Sequence, residues 1–318
     1  MSPRRRRGAP LPPRGGLTAS RVRCPAEGVT AGELIAAAVA GQRRRHPADD
    51  AAAVAARFAA GEVVDAAGRP VAPEEILPAG ADLWFRRMPA PERTIAGPMP
   101  IVHADPRVVV VDKPPFLATT PRGAHITETA VVRLRRTLGE EEPTPAHRLD
   151  RLTSGLLLFI RRPADRGAYQ ELFATPGAVT KIYEARTPAP GRPIPAGTEL
   201  ATRQEKIRGV LRARTIAGEP NARTIVESVR ELGDGTAVWR LRPLTGRTHQ
   251  LRLHLAEAGC PILGDPLYPE IAPAAEEDPA RPLHLLCRTL AFADPRTGER
   301  REFHSRRDLH SPAAPVPY

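Results

Sequence analysis

The chain's 318 residues, 41% of them hydrophobic, suffice for one large domain or two smaller ones, and no apolar stretch matches a membrane-spanning helix or a secretory signal. A formal net charge of +11 favours a polyanionic partner, since Lys and Arg that meet phosphates release condensed counterions; an arginine-rich solvated surface is the plain alternative. Cys24, Cys260 and Cys287 form no Cys-x-x-Cys pair, which argues against a zinc ribbon or disulfide framework and suits a reducing, cytoplasmic setting.

Residues 1–19 read as a disordered basic arm, because Arg4 to Arg7 repel one another and Pro10, Pro12, Pro13 and Gly15-Gly16 oppose regular structure. Residues 20–90 read as a small α+β module. Thr30 is placed to cap a helix through Ala38, a second alanine-rich helix runs from Asp50 towards Phe58, and Val63-Val64 and Leu77 to Phe85 supply extended segments. Pro91 and Pro98 mark a linker over 91–100.

The larger domain is expected over 101–306, with a proline-rich tail over 307–318. Val108 to Val111 is a β-branched run suited to a sheet covered on both faces, and Asp112-Lys113-Pro114-Pro115 turns the chain away. Thr127 to Leu138 patterns as a helix stopped by Gly139. The segment His147-Arg148-Leu149-Asp150-Arg151-Leu152-Thr153-Ser154-Gly155 leads into the apolar run Leu156 to Ile160. Ala164 to Phe173 reads as a helix, Val179 to Ala185 as a strand, and 187–200 as a Pro/Gly loop. Ile225 to Val229 and Ala237 to Leu241 form a hairpin through Gly233-Asp234-Gly235. In Thr245 to Ala256, alternation at Leu251, Leu253 and Leu255 permits a strand. Thr248 as N-cap, Gly259 as stop and Pro261 beyond favour a helix. Ile271 to Pro282 reads as a surface loop, and Leu283 to Phe292 and Arg300 to Phe303 as closing strands.

His147 to Gly155 resembles the catalytic motif of the RluA-type pseudouridine synthases, His-Arg-Leu-Asp-x-x-Thr-Ser-Gly. Gly246-Arg247-Thr248-His249-Gln250-Leu251-Arg252-Leu253-His254 is similar to a second block of that family, Lys181-Ile182-Tyr183 to its Lys-x-Tyr strand, and Gly264-Asp265 with Tyr268 to its Gly-Asp-x-x-Tyr. The resemblance implies a pseudouridine synthase fold of α+β class: a mixed, mostly antiparallel sheet with flanking helices and a central cleft. It implies a helix over the second block. It also implies Asp150 as the nucleophile or base, Arg252 as its ion-pair partner, and Tyr183 against the uracil as a candidate for proton removal at C5. Arg148 would hold the extruded nucleotide, Lys181, Arg247, His249 and Gln250 would meet substrate RNA, and Ile262 or Leu263 would wall the base. Asp265 is expected to orient backbone or an arginine.

An aspartate at the end of an apolar strand needs a neighbouring arginine to stay ionised, so the identity of that arginine is the central expectation. The spacing of His249 and His254 is not a helical i,i+4 pair and brings no carboxylate, so no metal is expected there, and the resemblance implies a reaction without a cofactor. Gly61, Gly68 and Gly80 before the strand at Leu83 resemble the S4 RNA-binding fold. The chain departs from the family at Leu285-Leu286-Cys287, where Leu-His-Ala is usual, and at Pro269; both departures are expected outside the chemistry. The expected partner is RNA, ribosomal first and transfer second, with no membrane and a monomeric chain. The competing readings are a catalytically inactive RNA-binding protein or chaperone on the same fold, and a glycoside hydrolase, which would need a second carboxylate that neither motif offers.

Overall fold

The computed structural model describes residues 10–271 and 278–309. Two compact units emerge, one of residues 1–94 with 120–141, the other of 95–119 with 142–318. The basic run Arg4 to Arg7, part of the surface loop and most of the tail lie outside the described residues.

The first unit contains β1 (Ser20–Arg23), β2 (Val29–Thr30), α1 (Ala31–Ala40), α2 (Ala51–Ala59), β3 (Val63–Val64), β4 (Ile76–Leu77), β5 (Asp82–Phe85) and α3 (Ala130–Leu138). Local chemistry sets its helix starts. Thr30 and Glu33 form a reciprocal capping box on α1, and the Asp50 carboxylate accepts the Ala53 N–H at the start of α2. The strands form a sheet in the order β1-β5-β3 and a separate β2-β4 ladder, packed around Leu34, Ile35, Val39, Leu83 and Phe85. α3 is capped by Thr129 and begins at Ala130, later than the Thr127 its pattern suggested, and Gly139 at φ +66° closes it. Residues 14–17, expected to be disordered, form a turn. The Gly16 N–H donates to Glu141 at 3.2 Å, and its carbonyl accepts from Arg135 at 3.0 Å. Thus 120–141 groups with the first unit rather than with the larger domain.

The second unit is a sheet of 11 strands. These are β6 (Ile101–Ala104), β7 (Val108–Lys113), β8 (Thr144–Pro145), β9 (Ser154–Ile160), β10 (Val179–Pro188), β11 (Glu199–Glu205), β12 (Arg214–Ile216), β13 (Ala222–Glu231), β14 (Thr236–Pro243), β15 (Leu285–Ala293) and β16 (Arg300–His304). The main path runs β12-β11-β13-β14-β10-β15-β9-β7-β6, with β16 on β15 and β8 on β9. Every pairing is antiparallel except β9 with β15, so the sheet is mixed and mostly antiparallel, as the resemblance implied. β7 and β9 are buried along their whole length, which explains their unbroken apolar runs. β11 and β12 escaped the sequence reading because their mostly polar residues show no apolar alternation. α4 (Arg166–Ala174) and α5 (Gln250–Glu257) complete the unit.

α5 resolves the ambiguity at Thr245 to Ala256 in favour of a helix. Gln250 through Leu255 are all buried, so the leucines alternate because the helix is enclosed around its circumference, not because it is a strand. Its N-cap is His249 rather than Thr248, at φ +60°.

Gly155, second in β9, has φ +106° and faces Cys287 across the parallel pairing, and a Cβ there would lie 2.4 Å from the Cys287 carbonyl oxygen. Both the dihedral and the close approach demand glycine. Gly155→Ala is expected to lower the unfolding free energy by about 3 kcal/mol or more in urea titration, against about 0.5 kcal/mol or less for Gly191→Ala, where a Cβ meets nothing within 4 Å.

Candidate active site

Asp150 lies in the short connection between β8 and β9, half-buried between buried Leu149 and Leu152. The backbone around it is clamped. Thr119 Oγ1 donates to the Leu149 carbonyl at 2.8 Å and accepts the Leu149 N–H at 3.2 Å. The Thr153 N–H closes a turn onto the Asp150 carbonyl at 3.1 Å, and Ser154 Oγ donates to the Leu285 carbonyl at 3.1 Å.

The strongest clamp is a residue the sequence reading did not single out for the site. Lys113 at the end of β7 is fully buried, and its Nζ donates to the carbonyls of Pro114 (3.0 Å), Leu117 (2.8 Å) and Arg151 (3.2 Å). Burial, then the charge of Arg307, push its pKa well down, while Asp150 opposes them. Three carbonyl acceptors nevertheless require three N–H groups, which only the ammonium has, so the geometry calls for the charged form. His147 anchors the other flank. Its Nε2 accepts the Leu158 N–H at 3.3 Å and its ring stacks on Phe173 at 4.7 Å; burial holds it neutral.

Lys181 and Tyr183 share a face of β10 through their i,i+2 spacing. A β-bulge falls opposite them, so that Ile182 pairs with Thr289 and Tyr183 with Cys287. The extra residue, Arg288, is held by Glu184 at 2.6 Å and by the Ser305 and Arg307 carbonyls. Tyr183 hydrogen-bonds Cys287, and burial, Cys287 and the charge of Asp150 all raise its pKa well above the usual phenol range. The resting site therefore presents a neutral phenol: a flat face and an O–H rather than a ready base. The Lys181 ammonium lies 5.0 Å from the Phe173 ring centroid, and burial lowers its pKa. The departure at Cys287, expected to be remote, thus lies directly against Tyr183 and Gly155; register, invisible in the sequence, brings it there.

The expected Arg252–Asp150 ion pair is not what the structure shows. Arg252 is engaged bidentately by Asp265, Nε to Oδ2 at 2.7 Å and Nη2 to Oδ1 at 2.6 Å, with side chains 2% and 0% exposed. Its guanidinium carbon lies 5.3 Å from the Tyr268 ring centroid. Asp265 also accepts the Leu267 and Tyr268 N–H groups, so it orients both an arginine and backbone, as expected. The competition is decided by proximity: Asp265 stands one loop beyond α5, with both carboxylate oxygens turned to the guanidinium.

His249 feels the charges of these groups. Burial lowers its pKa first; Asp150 and Asp265 raise it and Arg252 lowers it, so all three charges lie within its electrostatic reach. Tyr268 Oη accepts the Ala213 N–H (2.7 Å) and donates to the Ala213 carbonyl (3.0 Å). A phenol has one proton, so His249 Nδ1, 3.1 Å from that oxygen, must itself be the donor, leaving Nε2 with a lone pair.

The remaining expectations divide. Arg148 is exposed and forms no ion pair among the described residues. Arg247 is exposed, with its Nε on the Asn221 carbonyl at 3.2 Å. Gln250 is corrected to a structural role. It is buried, its Oε1 accepts from Thr245 Oγ1 and the Arg247 N–H, and its Nε2 donates to the Arg223 carbonyl and Thr224 Oγ1, so its capacity is filled. His254 bridges Thr202 and Thr224. Ile262 is 3% exposed within the cluster of Leu152, Leu251, Leu255 and Leu285, and half-buried Phe116 and Tyr183 pack against that cluster. Leu263 is half-buried, with its N–H on the Arg186 carbonyl. Among the described residues no cluster of His, Cys, Asp or Glu has the form of a metal site, all three cysteines are free and buried, and no helix is long and apolar enough to cross a membrane.

Comparison with known proteins agrees with this fold and motif set. The family model described as RNA pseudouridylate synthase matches residues 107–257. The dual-specificity RNA pseudouridine synthase RluA of Pasteurella multocida is 34% identical over 63% of this chain and 89% of its own length. The human pseudouridylate synthase RPUSD2 is 35% identical over 56% of this chain, but the match spans only 32% of that longer protein. The solved structure of human RNA pseudouridylate synthase domain containing 1 superposes with a TM-score of 0.52 at 25% identity, covering 68% of this chain and 86% of that one. The fold and the clamped aspartate loop define an RNA pseudouridylate synthase domain, and the chain belongs to the RluA-type family.

Two outcomes follow for stability. Asp265→Ala leaves the Arg252 charge buried without its partner and is expected to cost about 3–5 kcal/mol in urea denaturation, most of it recovered when Arg252→Met is added. Burial lowers the His254 pKa to about 4, below its unfolded value of 6.5. The unfolded state therefore binds the proton first, and stability is lost as pH falls from 6.5 towards 4, by roughly 3 kcal/mol in all. His254→Gln is expected to flatten the thermal-melting profile across that window.

Proposed function

We propose that this chain isomerises selected uridines in RNA to pseudouridine, with Asp150 as the reacting carboxylate. The observation that carries the reading is the aspartate loop itself. A single carboxylate is held on rigid backbone by Lys113, Thr119 and Ser154, within electrostatic reach of Tyr183 and His249. Preorganisation of this kind is what a reaction at one carbon centre requires.

The target nucleotide leaves the RNA stack and enters beside Asp150. Asp150 either attacks the nucleotide, forming an ester, or removes the C2′ proton; the bond from C1′ to N1 breaks, uracil turns, and C1′ bonds to C5 as the carboxylate is released from the ester or returns the proton to C2′. C5 loses a proton and N1 gains one, so the product is an isomer and no co-reactant is consumed. Tyr183 offers its ring to the base. Arg252, locked by Asp265, acts as a fixed positive charge near the site rather than as the aspartate's direct partner. Arg148, Arg247 and Lys181 meet phosphate or ribose, His249 lends Nε2 as an acceptor, and Ile262 and Leu263 back the pocket. Ribosomal RNA is the first target class and transfer RNA the second, in a cytoplasmic setting and with a monomeric protein. The first unit, with its small sheet and three helices, serves as an S4-like RNA-binding module.

Asp150→Asn is the test. Wild-type protein incubated with total ribosomal and transfer RNA from cells lacking it should create pseudouridine at discrete positions, read by carbodiimide mapping and mass spectrometry. The variant should melt like wild type and bind RNA on filters with similar affinity, yet form product at least about a thousandfold more slowly. Full activity in Asp150→Asn would reject the assignment.

A further inference from the structure

Among the described residues, two that are not glycine adopt the left-handed backbone region: His249 at φ +60° and Phe116 at φ +65°. A bulky L-residue held there costs about 1–2 kcal/mol, which glycine would avoid. Strain of this sort persists only where the surroundings impose it, and it gathers at functional sites. His249 already stands within electrostatic reach of Asp150. Phe116 belongs to the same neighbourhood by its neighbours' bonds. The Lys113 ammonium ties the Leu117 carbonyl to that of Arg151, and Thr119 ties itself to both backbone groups of Leu149. The loop carrying Phe116 is thus laced to the residues on either side of Asp150.

The ring itself is neither core nor surface. It is half-buried, packs with Tyr183 against the cluster that holds Leu152 and Ile262, and makes no aromatic pair among the described residues. A core-filling phenylalanine would be enclosed, and a solvent-facing loop residue would not need a strained aromatic.

We propose that Phe116 is the second aromatic wall of the base pocket, presenting its face to the extruded uracil alongside Tyr183. The inference rests on the uridine-isomerase reading and adds a specificity residue to it. A flat apolar wall favours a planar pyrimidine, and an aromatic platform under one base typically changes binding about five- to a hundredfold.

The test uses the full chain with Phe116→Gly, Phe116→Leu and Phe116→Tyr. Glycine removes the ring and the strain together, so the urea midpoint should stay level or rise while the single-turnover rate of pseudouridine formation falls about ten- to a hundredfold. Tyrosine, which keeps the flat ring, should retain most of the rate; leucine, which keeps bulk without flatness, should not. A merely structural ring predicts the reverse: Phe116→Gly loses stability but keeps the wild-type rate per folded molecule, and that result overturns the proposal. Phe116→Trp supplies a readout independent of turnover. Over the background of Trp84 and Trp239, its fluorescence should be quenched by a short oligouridylate and not by an abasic oligomer of the same length, both at saturation. Equal responses to both would also overturn it. Wild-type protein forming no pseudouridine would sink the isomerase reading alone, and the fluorescence arm would still decide the wall.

Discussion

One ammonium holds the functional end of the larger unit together. Lys113 leaves strand β7 fully buried and gathers carbonyls from three points of the chain, two in the turn that follows it and one beside Asp150. An isolated buried cation would be prohibitively costly; three carbonyl dipoles and a nearby carboxylate make it tolerable. The consequence is positional. The turn after β7 and the loop before β9 cannot move independently, so Asp150 inherits the rigidity of two central strands.

Around that clamp the charges are arranged in tiers. Arg252 and Asp265 neutralise each other in a dry environment, Tyr268 closes over the guanidinium, and His249 is held by the same tyrosine through Nδ1. Asp150 stands outside this pairing, half-buried and within electrostatic reach of Tyr183 and His249. A carboxylate tied bidentately to arginine would be well placed but unavailable. The bidentate bond to Asp265 leaves the Asp150 carboxylate outside the Arg252 pair.

Pairing register supplies the remaining element. The bulge in β15 opposite Tyr183 places Cys287, rather than the next residue, beneath the phenol, and the parallel pairing places the same cysteine against Gly155. One residue therefore borders both β9, which follows the aspartate loop, and β10, which carries Tyr183. This explains why a sequence departure far downstream in the chain reaches the site, and why a neutral tyrosine is maintained there.

Much was legible in one dimension because its causes are local. Capping at Thr30 and Asp50 follows from side chains bonding their own backbone, the buried strands β7 and β9 from uninterrupted apolar runs, and the aspartate loop from nine ordered residues resembling one family's motif. The edge strands β11 and β12 were not legible, since their stability comes from neighbours rather than from pattern. Nor was the true start of α5, because a histidine at positive φ is chosen by what it bonds across space. By itself the sequence determined the coarse fold class, the family and the motif that carries Asp150. Only the tertiary structure decided that Arg252 answers to Asp265, that Gln250 is enclosed and that the Lys113 ammonium ties the turn after β7 to the loop carrying Asp150. Ion pairs, registers and strained dihedrals are settled by distances between residues far apart in the chain, and no local pattern encodes those distances.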